Sequence, residues 1–187
     1  MNKCKDLNAS SNSYVDKYSD DIADKITIEL HSSPYSTIAF TFSDLDLHQT
    51  GMVTLHGFSA IALSPTISGS YYITVKSRNH LETASASLVS FTGTIISYDF
   101  TNDVAKAYAS TPFFTPTKLI DGKWMLYAGD VISDSNYPEI NIGDVYSVFN
   151  SRTNLGYSAM DIDGSGDVTD NDVYLLFNNR DKLLYIP

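Results

Sequence analysis

The chain has 187 residues, 43% hydrophobic, 12% aromatic and 18% charged, enough apolar mass for one sizeable core or for a larger and a smaller one side by side. Its 22 acidic and 12 basic residues leave a formal net charge of -10, which argues against nucleic-acid phosphates or anionic lipid as main partners, because Lys and Arg supply that affinity. No run approaches the roughly 20 apolar residues of a membrane helix, and Cys4 is the only cysteine, which excludes an internal disulfide or a thiolate cluster.

Residues 1–24 are polar, with little periodicity, and are expected to be loosely ordered or to add an edge strand on docking. They contain no apolar signal-peptide core, so an export signal is expected upstream, in a longer parent. Residues 25–118 read as β. ITIELH, STIAFTF, GMVTL, SYYITVKS, ASLVSF and TIISYDF alternate, are rich in β-branched and aromatic residues, and are separated by Ser, Pro, Gly or Asp clusters. Six or seven short strands predict an immunoglobulin-like or prealbumin-like β-sandwich. The two prolines of Thr111 to Lys118 predict a linker or capping segment, with a boundary near residue 118 and a second unit over 119–187.

Within the sandwich, Arg78, Asn79, His80 and Glu82 form a dense polar stretch at a strand end. It suits either a ligand site or a corner held by an Arg78–Glu82 pair. Tyr71, Tyr72, Phe113, Phe114 and Trp124 offer either a sugar-stacking platform or packing, although adjacent tyrosines on a strand face opposite ways. Catalysis is not expected: His31, His48, His56 and His80 have no metal-ligand spacing, no nucleophile elbow or zinc-protease helix occurs, and Asp44 and Asp46 read as a polar turn.

From Asp121 onward there are 11 acidic and 4 basic residues, a balance of -7, against -3 for the first 120. The carboxylates there recur at spacings of two and four in short Gly-containing stretches, as hard cations require. Asp144 opens DVYSVFNSR and Asp172 opens DVYLLFNNR, an internal duplication offset by 28 residues. Val145, Val148 and Phe149, and likewise Val173, Leu176 and Phe177, mark one face of a short helix that should be buried against its twin. Trp124 to Tyr127 are the expected glue between the two units.

Residues 161–172, DIDGSGDVTDND, place side-chain oxygens at loop positions 1, 3, 5, 9 and 12, namely Asp161, Asp163, Ser165, Thr169 and Asp172. Position 7, Asp167, offers its carbonyl, position 8 is the apolar Val168, and Gly164 and Gly166 allow the sharp turn. This is the arithmetic of a calcium loop. In the first copy Asp130 and Asp144 take the end positions, Asp134 serves as position 5, and Ile140 matches Val168. Position 3 is Ile132, however, and three residues are inserted. Either the carbonyls of Ile132 and Glu139 and the side chain of Asn141 complete a weaker second calcium site, or this copy is an apolar or hydrated vestige.

The initial Asp, the aliphatic position 8, the Asp that opens each helix and the 28-residue offset resemble a dockerin, a paired calcium-loop module. Together with IADKITIELH, GSYYITVKSRNHLETAS and GKWMLYAGDV upstream, the chain is similar to the sandwich-plus-dockerin C-termini of large secreted proteins of Bacteroidetes-type bacteria. The resemblance implies two helices in pseudo-twofold relation, two calcium ions, an extracellular or cell-surface parent, and docking to a cohesin-like or cell-surface protein. The docking residues it implies are Ile142, Gly143 and Tyr146 in the first copy and Asp170, Asn171 and Tyr174 in the second. The differing 142–143 and 170–171 pairs argue against two equivalent binding modes. The alternative function is a carbohydrate-binding module in which calcium is only structural.

Overall fold

A computed structural model of the chain describes residues 3–32, 38–49, 57–109, 111, 114–132 and 138–183. The fold is mainly β with a small α part. In chain order the strands are β1 (Lys5–Asn8), β2 (Ser13–Asp16), β3 (Ile22–His31), β4 (Ile38–Gln49), β5 (Gly57–Phe58), β6 (Ser70–Ser77), β7 (Thr83–Ala84), β8 (Val89–Ser90), β9 (Lys118–Ile120), β10 (Lys123–Met125) and β11 (Glu139–Ile140). Helices α1 (Ile142–Asn150) and α2 (Asp170–Asn179) follow, and β12 (Lys182–Leu183) comes after them.

An antiparallel sheet in the order β5-β4-β3-β6-β7, with β8 also paired to β6, forms one layer of the sandwich. Leu30 and Ile73 from this sheet pack with Ile67 and Phe91, and around them lie Leu63, Ile96, Tyr98 and Phe100 from the facing layer. The expected strands at ITIELH and SYYITVKS are present. TIISYDF contributes Ile96, Tyr98 and Phe100 to the core but is not a regular strand, and at its end Asp99 turns the chain locally by accepting from the Thr101 amide at 2.7 Å. Val89–Ser90 is the only part of ASLVSF in a strand, and GMVTL lies outside the described residues. Asp44 and Asp46 do not sit in a turn after STIAFTF. β4 continues to Gln49 through a register shift opposite Ile26 to Ile28, where Asp44 adopts φ 58°. This is a β-bulge, which lets a polar pair ride on the strand without ending it.

The helix pair has its own core of Ile140, Val148, Ile162, Val168 and Leu176, joined by Leu81 and Tyr127. Leu81 reaches it from the β6–β7 connection, whose Leu81 amide donates to the Tyr127 carbonyl at 2.8 Å. Trp124 to Leu126 instead line an apolar groove of about 1360 Å³ between the sheet and residues 91–101, so the expected glue is supplied by Tyr127. Phe114, in the Pro-flanked segment, also packs on the helix core.

The duplication is visible as a twofold pattern of bonds. The Asp181 amide donates to Ile140 O at 2.7 Å and the Thr153 amide donates to Val168 O at 3.2 Å, so each loop is paired with the exit of the opposite helix. Both positions of each bond are offset by the same 28 residues. The expected stripe is one residue too wide, however. Val148 and Leu176 are fully buried, but Phe149 and Phe177 are 47% and 44% exposed, and each lies under the guanidinium three residues later. Stacking on Arg152 and Arg180 lets an aromatic at the edge of the stripe stay outside.

The segment expected to be loosely ordered is a hairpin. β1 and β2 pair from Lys5↔Asp16 to Asn8↔Ser13, and the Cys4 amide donates to Ala23 O at 3.0 Å.

Candidate metal centre

Asp161, Asp163 and Asp172 each present a carboxylate oxygen within 4.8 Å of the other two, with Asp161 and Asp172 fully buried. Local chain geometry creates this convergence. Gly164 and Gly166 adopt φ 74° and 99°, left-handed values that a residue with a Cβ resists, and they fold the backbone around Asp161. The Asp161 carboxylate then accepts from the Ser165 amide at 3.0 Å and the Gly166 amide at 2.9 Å. Asp163 accepts from the same Ser165 amide at 3.0 Å and from the Asn171 side-chain amide at 2.6 Å. Ser165 Oγ donates to the Asp167 carboxylate at 3.0 Å.

Asp172 is the third residue of α2 and closes a capping box with Thr169. Its Oδ1 accepts from the Ile162 and Asp163 amides at 2.7 and 3.1 Å, and its Oδ2 accepts from the Thr169 amide at 2.8 Å. The helix start is thereby tied to the loop start. A carboxylate held by backbone amides is oriented before any ligand arrives.

The electrostatics suit a hard cation. Burial pushes the Asp161 carboxyl up to about 6, with the Asp172 charge adding to that and the Gly166 amide and Arg78 opposing it. Arg78 itself turns its guanidinium to the Asp161 carbonyl, at 2.8 Å, rather than to the carboxylates. Three gathered carboxylates offer the hard oxygen donors that calcium takes.

The first copy reproduces the frame. Asp144, fully buried at the same place in α1, accepts from the Val131, Ile132 and Asn141 amides at 2.9, 3.1 and 2.9 Å, one for one with its twin. Asn141 caps α1 in the role of Thr169, and its side-chain amide donates to Glu139 at 2.8 Å. Ile132 brings no side-chain oxygen, and Asp134 lies outside the described residues. If both loops take calcium, Asp130→Ala should remove only the weaker step of a two-step calorimetric titration, because fewer charged ligands lower affinity. Loss of the tighter step instead would invert the ranking of the loops.

Of the other candidates, Arg78 does not pair with Glu82. Arg78 Nε donates to Asp24 at 2.9 Å, and Glu82 pairs with Lys76 at 2.9 Å. Asn79, fully buried, donates its side-chain amide to the Asp161 carbonyl at 3.0 Å, so the dense polar stretch faces the 161–172 loop from the sandwich side. His80 bonds Ser77 at 2.9 Å, and burial with the nearby Arg78 charge holds its imidazole down to about 4. His31 pairs with Glu29 and His48 with Asp21, while His56 and Phe113 lie outside the described residues. Tyr71 packs edge-on against Phe40 and Phe91, inside the sandwich rather than on a platform.

Sequence reasoning missed Cys4, Asp24 and Tyr157. Cys4 Sγ and Tyr157 OH both donate to the Asp24 carboxylate, at 3.2 and 2.7 Å, completing the cradle of Arg78. These contacts join residues 20 and 133 positions apart, and no local pattern signals them.

No protein-family model matches the chain, and no curated protein matches it significantly. Among solved structures it is similar to a chain of a C-terminal interface mutant of the type II Cohesin-X-Dockerin complex from Acetivibrio cellulolyticus, at 15% identity and TM-score 0.46, over 86% of this chain and 83% of that one. It is also similar to a chain of the N-terminal interface mutant of that complex, at 16% identity and TM-score 0.44, with the same coverage.

Proposed function

We propose that this chain is a calcium-stabilised, non-catalytic attachment module of an exported protein, and that it docks through its helix pair to a cohesin-like or cell-surface protein. Calcium would be held by Asp161, Asp163, Ser165, Thr169, Asp172 and the Asp167 carbonyl. A second ion in the other loop would rely on Asp130, Asp134, Asp144, Asn141 and the carbonyls of Ile132 and Glu139. Its role is structural: the ion neutralises the gathered carboxylates and fixes both helix starts.

One observation carries the docking reading. Ile142, Tyr146 and Tyr174 are 73%, 68% and 65% exposed on helices whose opposite faces are buried, and the half-exposed Phe149 and Phe177 flank them. Large aromatics displayed on exposed helical faces, with Gly143 and the polar Asp170 and Asn171 beside them, have the composition of an interface rather than of a solvated surface. Tyr146 and Tyr174 occupy equivalent positions in the two copies.

The test is binding of the full chain to a panel of recombinant cohesin domains, with and without chelator. Capture that requires calcium, and that Tyr146→Ser with Tyr174→Ser weakens by more than tenfold, is the expected result; two buried aromatic anchors are worth about 2 kcal/mol or more together. Binding on a glycan array that chelator leaves unchanged, with no cohesin captured, would favour the carbohydrate-binding alternative.

A further inference from the structure

The glycines of the second loop face outward onto another part of the chain. A Cβ on Gly166 would lie 2.5 Å from the Tyr14 ring and 2.9 Å from Lys5 Cβ, and one on Gly164 would lie 3.4 Å from Cys4 Sγ. The Lys5 amide donates to the Gly164 carbonyl at 2.9 Å. The Tyr14 phenol meets the Asp167 carboxylate, the side chain of loop position 7. Asp6 fastens the same hairpin to the strap before the loop, accepting from the Tyr157 amide at 2.9 Å while its other oxygen pairs with Lys17. Polar hairpin residues thus cover the turn that the two positive-φ glycines make around Asp161.

We propose that the β1–β2 hairpin is the outer wall of the second cation loop, so that calcium binding and hairpin docking are a single coupled equilibrium. This rests on the calcium reading above and deepens it. The physical reason is that the hairpin fits only the wound form of residues 164–167. Without a cation, the repelling carboxylates of Asp161, Asp163 and Asp172 favour unwinding that turn; with it, the Gly164 carbonyl and the bare face of Gly166 are presented together. Linkage then requires reciprocity: whatever factor calcium adds to hairpin docking, the docked hairpin adds to calcium affinity. The polar N-terminus, which buries little apolar surface of its own, acquires its order from the loop.

The experiment uses the full chain and two readouts. Hydrogen exchange of the wild type with calcium and with chelator should show the Lys5 amide, and those of β1 and β2 with it, strongly protected only with calcium. Calcium calorimetry of Asp6→Ala with Tyr14→Ala, neither of which supplies a ligand, should show the tighter affinity reduced about five- to tenfold, with the unfolding of the sandwich unchanged. Wild type that binds calcium while its hairpin amides exchange equally in both conditions, or a variant whose affinity stays within twofold, overturns the coupling alone. Wild type that binds no calcium overturns the calcium reading and the coupling together.

Discussion

Asp172→Ala should destabilise the helix pair even in chelator, and in calcium it should abolish the tighter titration step. The side chain is fully buried and accepts from the Ile162, Asp163 and Thr169 amides and from the Thr169 hydroxyl. Alanine leaves those donors without an acceptor in a closed space, at about 1–3 kcal/mol for each that water does not reach. It also removes the capping box of α2, at about 1 kcal/mol. A total loss of roughly 3–5 kcal/mol exceeds what a short helix pair can lose and stay folded. Asp163→Ala separates the two roles, since the Asp163 carboxylate, at the loop surface, accepts from the Ser165 amide and the Asn171 side chain and meets Asp161, and caps no helix. It should weaken calcium binding while changing stability in chelator little. Denaturant unfolding in chelator, paired with calorimetry in calcium, checks both. Equal stability of Asp172→Ala and wild type in chelator would show that the carboxylate is not a cap.

The second loop, both helices and the strands at ITIELH and SYYITVKS were legible because each is written in local spacing: a period of two, a period near 3.6, or oxygens at fixed loop positions. The pair of like helices opening at Asp144 and Asp172 was legible from the 28-residue duplication, and their twofold relation was what the family resemblance implied. What escaped was set by contacts between distant residues. Cys4, Asp6, Asp24 and Tyr157 are unremarkable in sequence, and they acquire a role only when the hairpin, the sheet corner and the loop meet; Arg78 stood out, but with Glu82 rather than Asp24 as its expected partner. Phe149 and Phe177 were misassigned to the core because periodicity alone does not reveal an arginine three residues on that stacks over the ring. The Asp44 bulge and the local turn at Asp99 show the same limit in the sandwich: Asp44, read as part of a turn, was absorbed into a strand, and Asp99, read inside a strand, accepts from the Thr101 amide in a local turn.

Arg78→Ala should be the most damaging substitution outside the loops, and it should change how stability depends on pH. The Arg78 and Asp24 side chains are only 13% and 9% exposed, and their pair lies between the hairpin, the sheet and the second loop. Arg78 also donates to the carbonyls of Ser158 and Asp161 and to Cys4 Sγ. Removing one member of a buried, hydrogen-bonded pair costs about 3–5 kcal/mol, because the other charge stays buried without a partner. Lysine should not rescue it, since a single ammonium does not span the carboxylate and two carbonyls that the planar guanidinium reaches at once. The pH dependence follows from Asp24. Burial by itself raises its carboxyl, but the Arg78 charge and the hydrogen bonds from Tyr157, the Lys25 amide and Arg78 outweigh that and hold it below its ordinary value. Of the other titratable neighbours, Cys4 is pushed up to about 12 by burial, opposed by Arg78, and stays a neutral donor, while burial and the Arg78 charge hold the His80 imidazole down to about 4. A carboxyl depressed in the folded state contributes stability that is complete above its unfolded pKa, near 3.9, and is lost as pH falls through the lower folded value. In Arg78→Ala burial acts without the guanidinium, so the Asp24 carboxyl moves up toward its unfolded value, and the loss of stability on acidification that is linked to Asp24 should shrink, because the folded state then takes up the proton more readily. Denaturation midpoints measured from pH 3 to pH 7 in wild type, Arg78→Ala and Asp24→Asn test this. The wild-type curve should fall most on acidification and those of Arg78→Ala and Asp24→Asn should be flatter, on a lower baseline; three parallel curves would mean that the pair adds nothing to folding through its charge.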